Sequence, residues 1–304
     1  MRIGFYCPLI GAEFLKSLHV SPVDLRTITY ENVNYNLSQS GSNKCCVIRA
    51  IASAVSDNQI LDGIILTNCC HEQEQLADTL SKTNVRAYTI NIPRVFNEDS
   101  IQYLFEQIEY MVGNSFSGAF DVAAYLRGLA EEPVSFEPRA NRLPVYVSGV
   151  SLPSWFESLL DANKLNAVIR RKCGRVSPEG LKVAGDIVGD LVGGIVANPS
   201  GGNLDFKEIS KRFSCMRDMS SEAEITSLKN DINAYSPIAA IFVSMEFCVT
   251  SSYYYMKFRE QFLAENIPVF KINIADWNKP SMNVVTQIET IAQMCRRKTH
   301  ECLL

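Results

Sequence analysis

Cysteine is the residue type whose positions in this sequence point most directly to chemistry. The chain contains ten cysteines, and two pairs are adjacent, Cys45 with Cys46 and Cys69 with Cys70. Thiolates bind zinc and iron–sulfur clusters and act as nucleophiles. A cysteine is also a common small core residue. The positions of the cysteines relative to the predicted strands and helices therefore carry the argument.

Short apolar runs rich in β-forming residues alternate with helical patterns, which is typical of a parallel α/β fold. Predicted strands cover residues 2–6, 26–30, 63–67, 87–92, 145–148, 167–169, 238–243 and 268–272. Predicted helices lie near residues 44–56, 72–81, 100–112, 119–130, 153–162, 221–234, 251–264 and 280–297. The predicted fold class is α/β, with parallel sheets.

Two α/β domains of similar strand count are expected, covering residues 1–135 and 143–304. The segment 131–143 is rich in Pro, Glu and Arg and has no clear periodicity, so it is the best candidate for the boundary. A chain of 304 residues is long enough for about two domains of ordinary size.

Composition excludes several classes of function. The chain is 47% hydrophobic and 20% charged with a net charge of −4, so a basic face for nucleic acid is not expected. No run approaches the roughly 20 apolar residues that span a bilayer. The first residues lack the pattern of a signal peptide, which favours a cytoplasmic protein. In that reducing compartment, metal or catalytic roles for cysteine gain weight over disulfides.

The cysteines fall where predicted strands end and helices begin. Ligands of open α/β sheets bind outside the carboxyl ends of the strands, and a helix N-terminus lowers the pKa of a thiol. Strand ends are followed by Cys7, by Cys69 and Cys70, by Cys173 and, after a short loop, by Cys248. The other pair, Cys45 and Cys46, lies in the first turn of a predicted helix.

Three interpretations of this placement compete. Small buried thiols with a structural role are the simplest of them. Structural zinc takes ligands in C-x₂₋₄-C pairs, and the sequence has none. An iron–sulfur cluster accepts ligands from distant segments, and adjacent cysteines can bind different irons. We therefore favour a cluster, with Cys173 and Cys215 as further candidate ligands. Cys295 and Cys302 are not expected to bind it.

Four other side chains are candidates for supporting roles. His71 directly follows a cysteine pair and is a candidate proton donor near a cluster, although a histidine at a helix start is often a solvated polar residue. Glu246 and Glu13 are candidate proton donors if they are buried, and a surface position is the more ordinary expectation for Glu13. Arg49 lies one turn after Cys45 and either offsets cluster charge or forms an ion pair on the helix surface.

Several short motifs, taken together, resemble the 2-hydroxyacyl-CoA dehydratase and benzoyl-CoA reductase superfamily. The similarity lies in their order and spacing and covers most of the chain. The motifs are Phe5-Tyr6-Cys7-Pro8 with Glu13, Cys45-Cys46-Val47-Ile48-Arg49, Asp62-Gly63-Ile64-Ile65 leading to Cys70, Ala239-Ala240-Ile241-Phe242 leading to Phe247-Cys248, and Glu265-Asn266-Ile267-Pro268-Val269.

The resemblance implies two flavodoxin-like domains with a cluster in the cleft between them. The usual cluster ligands of the family would be Cys45, Cys70 and Cys248. The extra cysteines resemble the double-cubane cluster branch, in which six cysteines serve. That larger ligand set would be Cys7, Cys45, Cys46, Cys69, Cys70 and Cys248.

The sequence departs from the family pattern at two places. The family often has Asp after the second and third ligand cysteines, whereas His71 and Val249 stand there in this chain. The chain is also short for the family, which puts a full acyl-CoA pocket in doubt.

The function implied by the resemblance is that of an iron–sulfur reductase component. It would accept low-potential electrons from a separate ATP-hydrolysing iron–sulfur activator and reduce a small-molecule substrate at its cluster. In keeping with a separate activator, the chain has no Gly-x-x-x-x-Gly-Lys-Ser/Thr loop. A homodimer or a heterodimer of related subunits is expected. The alternatives are a 2-hydroxyacyl-CoA dehydratase subunit and a non-catalytic cluster carrier or electron-transfer protein.

Overall fold

A computed structural model provides the structure of the protein. It describes residues 1–7, 10, 12–25, 45–58, 61–68, 71–81, 83–93, 95–122, 125, 141–149, 152–171, 175–176, 213–214 and 222–301. The predicted strand at residues 26–30 lies outside these ranges, as does most of the predicted linker. The described residues form two four-stranded, entirely parallel sheets with helices, so the α/β prediction is confirmed.

The first sheet has the spatial order β2-β1-β3-β4. Its strands are β1 (Arg2–Phe5), β2 (Ser21–Asp24), β3 (Gly63–Thr67) and β4 (Arg86–Ile90). Its helices are α1 (Ala12–Ser17), α3 (His71–Leu80) and α4 (Glu98–Ser115). A further helix, α2 (Cys46–Asn58), follows β2 and precedes β3 in the chain. Every residue of β3 is buried, because a central parallel strand is covered on both faces and is therefore apolar throughout.

The second sheet has the order β10-β9-β5-β6. Its strands are β5 (Leu143–Gly149), β6 (Leu165–Arg171), β9 (Ala239–Met245) and β10 (Val269–Ile274). Its helices are α5 (Ser154–Ala162), α6 (Glu222–Tyr235), α7 (Val249–Ala264) and α8 (Met282–Glu301). A separate antiparallel pair joins β7 (Arg175–Val176) to β8 (Phe213–Ser214).

The two large sheets share one topology. When the strands of each sheet are numbered in chain order, both sheets read 2-1-3-4 across the sheet. In such a sheet the connections reverse direction between strands 1 and 3, and ligands bind at the carboxyl ends of the strands at this reversal. The reversal falls between β1 and β3 in the first sheet and between β5 and β9 in the second. These two places are where a ligand is expected.

The chain packs into two compact units that do not follow its two halves. The first comprises Met1–Leu25, Ala54–Pro133 and Cys173–Ser220, as far as these ranges are described. The second comprises Arg26–Ser53, Val134–Lys172 and Ser221–Leu304. The start of α2, with both cysteines of its pair, therefore groups with the second sheet, whereas the sequence-based division has it within residues 1–135.

Aromatic side chains fill the core of each unit. In the first unit the ring of Tyr125 meets those of Phe14 and Phe105 edge-on, with centroids 5.4 and 5.6 Å apart. In the second unit Phe258 lies 4.5 Å from Phe262 and 5.3 Å from Phe242. Each such pair adds about 0.5–1.5 kcal/mol beyond the burial of its area.

No helix among the described residues is both long and apolar enough to cross a bilayer.

Candidate functional site

Cys46 lies at the carboxyl edge of the second sheet. Its Sγ is 3.7 Å from the Sδ of Met245 and 3.5 Å from the carbonyl oxygen of Ile274. Met245 and Ile274 are the last residues of β9 and β10, two adjacent parallel strands. The start of α2 is therefore packed at the end of the sheet where ligands of α/β proteins bind.

Hydrogen bonds from Arg49 hold this end of α2 in place. Its backbone N–H donates to the carbonyl oxygen of Cys45 (3.0 Å), closing the first helical turn. Its Nη2 donates to the carbonyl oxygen of Ala275, directly after β10 (3.1 Å). The guanidinium predicted to offset cluster charge is thus fixed at the same edge of the sheet as Cys45 and Cys46, which are both buried.

Cys248 lies at the turn between β9 and α7, at the same edge of the second sheet. It is the N-cap residue of α7, it is partly exposed, and its backbone N–H donates to the carbonyl oxygen of Met245 (3.1 Å). The hydroxyl of Ser251 donates to the carbonyl oxygen of Cys248 (2.9 Å) and lies 2.6 Å from that of Ser244. Cys248 thus lies at the N-terminus of a sixteen-residue helix, where the helix dipole favours negative charge.

The residue before Cys248 has a strained backbone. Phe247 adopts φ of 63° and is 48% exposed. The left-handed region costs a residue with a Cβ roughly 1–2 kcal/mol, and glycine pays little of this. Backbone strain of this kind clusters at functional sites. The aromatic ring is thus held out toward solvent beside the cysteine at some cost to stability.

Replacing Phe247 by glycine should stabilise the fold by about 0.5–1 kcal/mol, since glycine adopts this backbone conformation without strain. Urea denaturation of both proteins measures the difference. The matched control is Leu263→Gly, at an exposed position in α7, which should destabilise the fold by about 1 kcal/mol. If Phe247→Gly destabilises the fold instead, the packing of the ring stabilises the protein by more than the strained backbone destabilises it.

Cys7 occupies the corresponding edge of the first sheet. It follows β1 by two residues, is 4% exposed, and its carbonyl oxygen accepts a hydrogen bond from the N–H of Ile10 (2.9 Å). It belongs to the same buried cluster as Tyr125. Burial, and to a smaller extent the neighbouring Cys7, raise the pKa of the Tyr125 phenol, so Tyr125 stays neutral.

Cys69 and Cys70 lie outside the described residues, but described residues on either side of them are held by polar side chains. The Oε1 of the buried Gln73 accepts hydrogen bonds from the backbone N–H (2.9 Å) and hydroxyl (3.1 Å) of Thr67. On the other side, Oδ1 of Asn68 accepts from the N–H of Ile92 (2.8 Å). Sequence reasoning missed both residues. The signal for Gln73 was its place in the first turn of α3, where Gln and Glu often bond back to the preceding chain.

The side chains of some remaining candidate residues are described by the structure, and those of others are not. Glu246 is exposed, so it does not meet the condition of burial attached to its role as a proton donor. His71 begins α3 and Glu13 lies in α1, but neither side chain is described. Cys295 is buried in α8, and burial raises the pKa of its thiol against the weaker opposing effects of Lys298 and Arg296. Cys173, Cys215 and Cys302 lie outside the described residues.

The structure thus places part of the predicted ligand set along one sheet edge. Cys45, Cys46 and Cys248 share the carboxyl edge of the second sheet, and Cys7 lies at that edge of the first. None of the five described cysteines forms a disulfide. Within the described ranges, no three His, Cys, Asp or Glu residues are grouped closely enough to hold a metal ion.

The fold and these positions define a class: an α/β protein with two parallel sheets and cysteines at their carboxyl edges. No protein-family model matches the chain, and no curated protein does. The resemblance to the 2-hydroxyacyl-CoA dehydratase superfamily therefore stays a prediction from the motifs of this sequence.

Proposed function

We propose that this protein is an iron–sulfur reductase component of the 2-hydroxyacyl-CoA dehydratase type. The observation that carries the proposal is that the pair Cys45 and Cys46 lies along the same sheet edge as Cys248, although about 200 residues separate them in the chain. Ligands of α/β proteins bind at this edge of the sheet, so cysteines placed there are in a position to bind a cluster.

The donor chemistry of these residues suits a cluster. Thiolates are the usual ligands of iron–sulfur clusters, and Cys45, Cys46 and Cys248 all lie at helix N-termini, which stabilise negative charge. Cys45, Cys70 and Cys248 are the ligands of a simple cluster. If a double-cubane cluster is bound, Cys7, Cys46 and Cys69 are recruited as well.

When bound, the cluster supplies single-electron transfer at low potential. The chain's own residues hold it and limit the access of water, as the burial of Cys45 and Cys46 supports. The guanidinium of Arg49 offsets negative charge at this edge. His71 is the preferred proton donor, since Glu246 is exposed.

The electron donor in this proposal is a separate ATP-hydrolysing iron–sulfur activator, and the acceptor is a small-molecule substrate. The protein acts in the cytoplasm as a homodimer or as a heterodimer with a related subunit. Both statements rest on the resemblance of the motifs to those of the family.

The first test is the content of iron, acid-labile sulfide and zinc per chain in anaerobically purified protein. We expect roughly four irons with matching sulfide for a simple cluster, or roughly eight for the joined form. Zinc without iron would contradict the proposal, as would the absence of metal after anaerobic reconstitution.

A second measurement separates the enzyme from the alternatives. With a cognate activator and ATP, the cluster of a reductase component should be reduced and then reoxidised when a small substrate that accepts its electrons is added. A cluster that cycles between redox states without turnover would indicate a carrier. Thermal stabilisation by acyl-CoA, absent with small anions, would indicate a dehydratase subunit.

A further inference from the structure

Phe247 occupies a turn position that disfavours its side chain. The N–H of Cys248 donates to the carbonyl oxygen of Met245 (3.1 Å), and φ of Phe247 is 63°, so residues 245–248 form a type II turn. The third position of such a turn favours glycine or asparagine, because a bulky side chain is strained there. Phenylalanine is therefore an unfavourable residue for this turn.

The strain at Phe247 does not come from ending a helix. Four other described residues with positive φ each lie one or two residues after a helix, where the left-handed conformation is common: His19, Lys164, Ser236 and Asn266. Phe247 instead follows β9 and precedes α7. A glycine would close the same turn without strain, so the phenylalanine needs another explanation.

The ring of Phe247 gains little from packing. The residue is 48% exposed, and Glu246 before it is exposed as well. By contrast, the rings of Phe242 and Phe258 are buried and their centroids lie 5.3 Å apart. A large apolar side chain thus stays in contact with water on a backbone that disfavours it. Such departures from local preference concentrate at functional sites.

The neighbour of Phe247 indicates what the ring does. Cys248 is a ligand of the proposed cluster and lies at the turn between β9 and α7, at the carboxyl edge of the second sheet. A ring on the residue before a ligand stays near whatever that ligand binds, since consecutive Cα atoms are about 3.8 Å apart. Apolar side chains around a metal site control the access of water, and solvent exposure helps to set the reduction potential of a cluster.

We propose that the ring of Phe247 shields the cluster bound at Cys248 from water and thereby lowers its reduction potential, an inference that rests on the proposed function. Thiolate ligands make the cluster anionic, and reduction adds a further negative charge. Water stabilises the more highly charged form, so a side chain that excludes water disfavours reduction. A low potential is consistent with electron delivery that needs ATP hydrolysis.

The test compares three anaerobically purified variants with the native chain. Phe247→Gly removes the ring and relieves the strain of the turn, so it should fold. Phe247→Tyr keeps the ring. Met256→Ala controls for the loss of an exposed apolar side chain, since Met256 is 61% exposed on α7. The measurements are the iron and sulfide content, the reduction potential from a titration followed by electron paramagnetic resonance, and the rate at which cluster absorbance is lost in air.

We expect all four proteins to hold the same iron and sulfide. Phe247→Gly should have a more positive reduction potential and lose its cluster several times faster in air, because water and dioxygen reach the iron more easily. Phe247→Tyr and Met256→Ala should match the native protein in both measurements.

An unchanged potential and an unchanged lifetime in air for iron-containing Phe247→Gly would overturn this inference alone. Loss of iron from Phe247→Gly under anaerobic conditions would also overturn it, because the ring would then hold the ligand in place rather than cover the cluster. A native chain without iron would overturn the proposed function and this inference together. The two failures can therefore be told apart.

Discussion

Replacing Cys248 by alanine is expected to reduce the iron of anaerobically purified protein from roughly four atoms per chain to below about one. In the proposed simple cluster Cys248 is one of three ligands, and a cluster left with two protein ligands is easily lost. Cys248 is only partly buried. The alanine variant should therefore keep its fold, and loss of iron can be assigned to loss of a ligand.

The control for this experiment is Cys295→Ala in α8. Cys295 is a buried thiol whose pKa is raised by burial, which makes it a poor metal ligand. We expect this variant to keep its full iron and sulfide content. Full iron content in Cys248→Ala would remove Cys248 from the ligand set. Equal losses in both variants would indicate that iron content follows stability rather than ligation.

Replacing Gly149 by alanine is expected to destabilise the second unit by about 3 kcal/mol. Gly149 is the last residue of β5 and pairs with Val243 of β9. A Cβ at this position would overlap the carbonyl oxygen of Val243 and lie 3.0 Å from its Cβ. Because the overlapping atom belongs to the backbone, β5 and β9 must separate at the reversal point of the sheet.

Gly113→Ala provides a control of opposite sign. Gly113 lies in α4, and a Cβ there would have no atom within 4 Å. Alanine should stabilise this helix by about 0.5–1 kcal/mol. Urea denaturation followed by circular dichroism measures both free energies of unfolding. A loss below about 1 kcal/mol in Gly149→Ala would show that the two strands adjust more easily than their spacing indicates.

The elements that the sequence predicted well are the central strands and the long helices. The predicted strand at residues 63–67 matches β3 to the residue, because a run of buried aliphatic residues between polar ones has few other uses. The described elements that it missed are α1, β2 and the two-residue strands β7 and β8. The helix has only six residues, and β2 contains Pro22, which fits an edge strand but weakens any strand pattern.

The candidate site was predicted in part. The sequence placed Cys7 and Cys248 after strands and the pair Cys45 and Cys46 at a helix start, and the structure agrees. Three features could not be predicted: the contact of Cys46 with Met245, the hydrogen bond of Gln73 to Thr67 at the end of β3, and the exposure of Glu246. Each depends on which segments pack together, and local periodicity carries no information about that.

Local patterns in the sequence were enough to predict the alternation of strands and helices and the positions of cysteines along it, because hydrophobic period and helix boundaries are local properties. The strand order, with its reversal points between β1 and β3 and between β5 and β9, became known from the folded chain alone. The same holds for the packing of Cys46 at the ends of β9 and β10, about 200 residues away along the chain. Strand order and long-range packing arise from burial summed over the whole fold, and no short stretch of sequence contains that sum.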